Sequence, residues 1–209
     1  MKMEDTSWHC HSNPTRVRQE NRQAFHRFSA LERRLNADPT LGTAYQDTMN
    51  EYIELGHMTK IDADNKANEF YLPHHPVIKQ SSQTTKVRVV FDGSAKSSTG
   101  TSLNETLIVG STIQDDIVSL ILRFRLHVIY VMTGDIEKMY RQFLVRNQDR
   151  IYQKIIWRNE EGILNTYKLN TVIFGLSAAP FLAIRCLRQL ADEEALHFPA
   201  ASETLKRDL

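Results

Sequence analysis

Val131-Met132-Thr133-Gly134-Asp135-Ile136-Glu137-Lys138-Met139-Tyr140-Arg141 is the stretch on which the reading of this chain turns. The apolar, β-branched run at its start, residues 127–132, predicts a buried strand. Such a strand would carry a carboxylate, Asp135, to its C-terminal end. A turning or helical segment would then place an aromatic ring at Tyr140. An ionised Asp at the tip of a buried strand needs a partner. Two partners fit: a hard divalent cation such as Mg2+, which prefers carboxylate oxygens, or the backbone N–H groups of a following helix. Spacing alone favours the helix cap.

The surrounding composition bounds the answer. A chain of 209 residues can bury a substantial core and forms one domain or one lobe of a larger protein. Hydrophobic residues at 41% and charged residues at 24% match a globular protein. A net charge of +1 means that any nucleic-acid contact must come from local patches rather than from an overall field. Two distant cysteines, Cys10 and Cys186, are no disulfide framework and fit a reducing compartment. No apolar run is long enough to span a membrane, and the N-terminus lacks a signal-peptide core, so a cytoplasmic or nuclear location is expected.

Working outward, residues 1–14 read as a leader, because Trp8-His9-Cys10-His11 has no second ligand pair at zinc spacing. Residues 16–36 predict a helix with Ala24, Phe25, Phe28, Leu31 and Leu35 on its apolar face. Asp38-Pro39 opens a second helix with Leu41, Tyr45, Met49, Tyr52 and Leu55 inside and Gly56 as its stop. Residues 70–92 predict a β-hairpin with Lys79, Lys86 and Arg88 at or near it. Those cations suit either a flap over phosphates or a protected edge strand. His74 and His75, being adjacent in a strand, point to opposite faces, which favours packing over a metal. Ser111 or Thr112 would cap a helix whose first turn holds Asp115 and Asp116, with Ile117, Leu120, Ile121 and Phe124 facing the core. Two further strands flank a turn at residues 158–162. Another strand ends at Gly175, where small residues permit a close backbone approach, or simply a tight turn. Ser177 would cap the next helix, with Phe181, Ile184, Leu187 and Leu190 along it, and Pro199 would end the helical piece after that.

In this order, several segments resemble the reverse transcriptases of LTR retrotransposons, most of all the BEL/Pao group. The similarity runs through Arg33-Arg34-Leu35-Asn36-Ala37-Asp38-Pro39, Tyr71-Leu72-Pro73-His74-His75-Pro76-Val77 and Arg88-Val89-Val90-Phe91-Asp92-Gly93-Ser94-Ala95. It continues through Ser102-Leu103-Asn104, Gln114-Asp115-Asp116, Asp135-Ile136-Glu137-Lys138-Met139-Tyr140-Arg141-Gln142 and Phe174-Gly175-Leu176-Ser177-Ala178-Ala179-Pro180. Each motif is weak alone; the ordered set is specific.

The resemblance implies an α+β, right-hand DNA/RNA polymerase fold: fingers plus an incomplete palm, with an N-terminal helical lead-in. Residues 1–68 would form the leader and lead-in. Fingers would occupy about 69–107 and 143–174, and palm about 108–142 and 175–209. The implied activity is RNA-directed DNA synthesis, with an RNA or DNA template–primer and a dNTP as partners and two Mg2+ ions as cofactors. By the resemblance, Asp135 is the catalytic metal carboxylate and Ile136 lends a main-chain carbonyl to the nucleotide-side ion. Tyr140 lies under the incoming sugar and favours deoxynucleotides, and Arg88 lies against the nucleotide and its phosphates. Lys79 or Lys86 is the companion cation, and Phe174 and Gly175 form the turn beneath nucleotide and template. Protease, RNase H and integrase regions of a Pol polyprotein are further expected partners. The family's tyrosine–any–Asp-Asp element does not occur in these residues; Asp192 and Asp208 lack that context. Because one carboxylate holds two Mg2+ ions poorly, the polypeptide by itself is expected to be inactive. A non-catalytic nucleic-acid-binding remnant is the alternative, using Lys79, Lys86, Arg88 and Lys96.

Overall fold

A computed structural model describes residues 17–62, 70–78, 87–97, 100–126 and 133–208, with side chains from residue 23 onward. The predicted strand at 127–132, Lys79, Lys86 and the leader at 1–14 lie outside the described residues.

Helix α1 spans Val17–Ala37 and α2 spans Pro39–Glu54. The side chain of Asp38 accepts the Leu41 N–H, and Pro39 sits at the first helical turn, where no N–H is missed. Gly56 ends the segment in the left-handed region, at φ 69°. Ala24, Phe28, Leu31 and Leu35 of α1 and Leu41, Tyr45, Met49 and Tyr52 of α2 are buried, whereas Phe25 and Leu55 face solvent. The 3.6-residue period thus locates both inner faces, and the two outliers sit at their margins.

Strand β1 (Met58–Ile61) follows, then β2 (His74–Ile78) and β3 (Val87–Phe91), which pair antiparallel with His74 opposite Phe91 and Ile78 opposite Val87. The expected hairpin is therefore present, with His74 buried and His75 outside. Strands β4 (Lys154–Arg158) and β5 (Leu164–Leu169) pair across a turn in which Gly162 adopts φ 78°. Together β1, β5 and β4 make a three-stranded antiparallel sheet in that order. A bridge between Tyr71 and Lys154 links the segment before β2 to this sheet.

Rings lock the lead-in helices onto both sheets. Trp157 of β4 takes Phe28 edge-on at 5.9 Å and Tyr45 at 5.5 Å. The His74 ring stacks on Tyr45, accepts the Tyr45 hydroxyl at Nδ1 (2.6 Å) and donates from Nε2 to the Ile156 carbonyl (2.9 Å). Burial pushes the His74 pKa down to about 4, so the ring is neutral and belongs to the core.

Five expectations need correction. Helix α4 (Ile117–Leu126) begins after Asp116, whose carboxylate accepts the Val118 and Ser119 N–H groups, so Asp116 and not Ser111 or Thr112 is its cap. Nor does that helix face the core: none of its side chains is buried, and Ile117 and Leu126 are 68% and 76% exposed. Arg123 ties it to Asp115 and to the Arg207 carbonyl by polar bonds instead. Residues 171–174 are not a strand; one bridge, Leu144 to Thr171, is their ladder contact. Helix α5 (Ala179–Glu193) has Ala178 at its cap position with no side-chain cap bond, and Pro199 starts α6 (Pro199–Arg207) rather than ending a helix. Proline fits either side of a helix boundary, and here its fixed φ serves the first turn. Asp192 of α5 pairs with Lys206 of α6 at 2.5 Å. No helix among the described residues is long and apolar enough to cross a membrane.

Candidate functional site

The site is built where three distant stretches meet. The first is the end of β3 and the turn after it, Phe91-Asp92-Gly93-Ser94. The alternation along β3 buries Val87, Val89 and Phe91 and leaves Arg88 exposed and Val90 half-buried on the other face. Asp92 is fixed by Arg27 of α1 (3.1 Å) and by accepting the Ser94 N–H.

Phe174-Gly175-Leu176-Ser177 is the second stretch. Gly175 has φ 104°, and a Cβ there would lie 1.8 Å from the Phe91 carbonyl oxygen. The main chains touch, and glycine alone permits it. Gly93 is crowded from the opposite side: its Cβ would meet Leu176 Cδ2 at 2.6 Å and Asn104 Oδ1 at 2.8 Å. Val90 stands 3.7 Å from the same Gly175 Cβ position, so the face of β3 that bears Arg88 borders the Gly175 turn.

Asn104 pins the two stretches together. It sits in α3 (Leu103–Thr106), a single turn closed by a capping box between Ser102 and Glu105. Its Nδ2 donates to the Gly175 carbonyl (2.9 Å) and to Ser94 Oγ (2.8 Å), while its Oδ1 accepts the Ser177 N–H (2.9 Å). Ser177 was expected to cap α5; its N–H serves this knot instead. The sequence places Asn104 in the Ser102-Leu103-Asn104 motif but assigns it no role: besides nearby Ser94, its partners lie 71 and 73 residues away.

The third stretch carries Asp135 and Tyr140. A short 3-10 turn, Met139–Gln142, follows Lys138, which adopts φ 52° and ψ 38°. Tyr140 projects from it and meets Phe174 edge-to-face, with ring centroids 4.6 Å apart. Partial burial raises the Tyr140 pKa, so the hydroxyl stays protonated. Phe174 remains 43% exposed, leaving aromatic surface open to a ligand.

Asp135 and Ile136 are exposed on the approach to this turn. Asp135 does not cap the turn: Lys138 holds the cap position and makes no side-chain cap bond. Among the described residues no three His, Cys, Asp or Glu side chains gather as a metal-binding group. Without a group of three donors among the described residues, Asp135 does not compose the two-ion centre that the resemblance implies. Lys96 lies 3.9 Å from Glu105, a loose exposed pair. Asp115 and Asp116 precede α4 rather than lying in its first turn: Asp115 pairs with Arg123, and Asp116 caps the helix.

No protein-family model matches the chain, and no curated protein matches it either. Among solved structures, the chain is similar to a foamy viral protease–reverse transcriptase in complex with double-stranded DNA. The TM-score is 0.50 at 15% identity, over 72% of this chain. The matched part spans 23% of that protein's length. The likeness concerns fold: it supports a reverse-transcriptase-like arrangement of the elements described above.

Proposed function

We propose that this chain is the fingers and part of the palm of an RNA-directed DNA polymerase, of the BEL/Pao type by its ordered motifs. Its site receives a template–primer end and a deoxynucleotide. One observation carries the reading. Tyr140 and Phe174, 34 residues apart in sequence, meet at 4.6 Å beside the Gly175 turn, which rests on the strand that bears Arg88.

In this reading the chemistry follows from the side chains. Arg88, exposed and forked, contacts phosphate oxygens. Partly open rings at Tyr140 and Phe174 offer an apolar floor to a sugar and base, and the Tyr140 ring leaves poor room for a 2′-hydroxyl. The Gly175 turn, by resting on the Phe91 main chain, seats Phe174 beside Tyr140. Asp135 is the acidic group on this side of the site. A second reading is a non-catalytic nucleic-acid-binding remnant of a retroelement; exposed Arg88 and Lys96 suit it, and among the described residues no three-donor metal group is present.

Both readings are tested with poly(rA)–oligo(dT) and the purified chain. Extension of the primer that Asp135→Asn abolishes establishes catalysis. Salt-dependent binding without extension establishes the second reading. Absence of binding at low salt rejects both.

A further inference from the structure

The turn that carries Tyr140 is held from outside the three stretches. Arg141, next to Tyr140, is turned inward; its side chain is 8% exposed. Its Nη2 donates to Glu51 of α2 at 2.7 Å, its Nε donates to His57 Nδ1 at 3.1 Å, and its guanidinium lies 4.4 Å above the Tyr52 ring. The same Glu51 oxygen accepts the Lys138 ammonium. Lys138 is the one non-glycine among the described residues with positive φ, a conformation that L residues seldom adopt. A single carboxylate on the lead-in helix thus grips the residues two before and one after Tyr140. Within the turn, Arg141 N–H bonds the Lys138 carbonyl at 2.8 Å, so a shift of either anchor moves the Tyr140 backbone.

We propose that Glu51 is a positioning residue for Tyr140: through Lys138 and Arg141 it fixes the ring against Phe174, and so sets selectivity for a deoxyribose over a ribose. The proposal rests on the functional reading above for its ligand, and on the geometry alone for the clamp. It gives α2 a role beyond packing. Charge supports the arrangement: partial burial works to raise the Glu51 pKa, but the hydrogen bonds and charges of Lys138 and Arg141 outweigh it and hold the carboxyl below its usual range. His57 takes part as an acceptor, and burial together with the Arg141 charge holds it neutral.

A second acid–base pair provides the control. Glu32 of α1 bonds Arg158 of β4 at 2.6 Å, tying the lead-in to the sheet away from the Tyr140 turn. Glu51→Ala, Glu51→Gln and Glu32→Ala are compared in the full chain by two measurements. In hydrogen exchange, Glu51→Ala is expected to raise exchange at least tenfold in peptides covering 136–143 and to leave β4 and β5 unchanged. Glu51→Gln keeps the volume and one acceptor and is expected to fall between. Glu32→Ala is expected to leave 136–143 untouched. In competition binding with a fluorescent deoxynucleotide, the dATP-to-ATP affinity ratio is expected to fall at least threefold in Glu51→Ala and to hold in Glu32→Ala. Unchanged exchange at 136–143, or an equal effect of Glu32→Ala, overturns the clamp. Lost protection with an unchanged ratio overturns the role in selectivity. A wild-type chain that binds no nucleotide overturns the functional reading and the selectivity with it, while the exchange result still decides whether Glu51 holds the turn.

Discussion

Replacing Gly175 with alanine adds one methyl group at the point where the Phe174 turn rests on β3. Two costs follow from the geometry. At φ 104° an L residue is strained, which costs about 1–3 kcal/mol. The new Cβ would stand 1.8 Å from the Phe91 carbonyl oxygen, with Phe91 itself fully buried, so a main chain must move. Overpacking of this kind costs a further ~1–3 kcal/mol. The sum is about 4 kcal/mol, or a Tm lower by roughly 10 °C for a chain of this size. Two other glycines calibrate the argument. Gly162 has φ 78° but nothing within 4 Å of its Cβ position, so Gly162→Ala is expected to lose only about 1 kcal/mol. Gly134 has neither positive φ nor a neighbour within 4 Å, and Gly134→Ala is expected to be neutral or slightly stabilising, by ~0.5 kcal/mol. Urea and thermal unfolding of the three variants give the comparison. Equal losses in Gly175→Ala and Gly162→Ala would refute the close approach, and with it the seating of Phe174.

Acid is expected to destabilise the chain through His74. Its folded pKa, about 4, lies below the ordinary 6.5, so the stability from the neutral ring is fully present above about pH 6.5 and is lost as pH falls toward 4. The loss is on the order of 3 kcal/mol by pH 4, read as a pH-dependent urea midpoint, and an unchanged slope in His74→Gln would contradict the assignment. Tyr45→Phe leaves His74 Nδ1 buried without its donor and is expected to cost ~1–3 kcal/mol at pH 7. Arg88→Ala is expected to weaken dNTP binding to the chain–template–primer complex, with a loss that shrinks as salt rises, as for a phosphate contact; unchanged dNTP affinity would remove Arg88 from the site. Titrating Mg2+ into the chain without nucleotide is expected to show no site at Asp135 tighter than roughly 1 mM, because the described residues gather no three-donor group and the ion stays mostly hydrated. Tight binding abolished by Asp135→Asn would refute that donor count.

Much of this fold is legible in sequence because its signals are local. Asp38-Pro39 and Gly56 bracket α2 by backbone chemistry, and alternation in residues 87–91 gives the side of β3 that faces inward. Strand β1 is missed: four residues, Met58-Thr59-Lys60-Ile61, are too few to show a period, and pairing with β5 decides their conformation. Helix α4 misleads for the opposite reason. Its apolar content predicts burial, yet burial depends on what packs against a helix, and none of its side chains is buried. The candidate site divides in the same way. Tyr140, Phe174 and Gly175 stand out by residue type and order, whereas the roles of Asn104 and Glu51 depend on partners 71 to 90 residues away, which no local pattern reveals.

Photocrosslinking tests the central claim most directly. The chain, poly(rA)–oligo(dT) and a photoactivatable deoxynucleotide are irradiated together in Mg2+ buffer, and the adduct is mapped by mass spectrometry. The account expects adducts within residues 139–142 and 173–176, suppressed by competing dNTP and by Tyr140→Ala. Adducts confined to α5 and α6, or no adduct that dNTP suppresses, would contradict it.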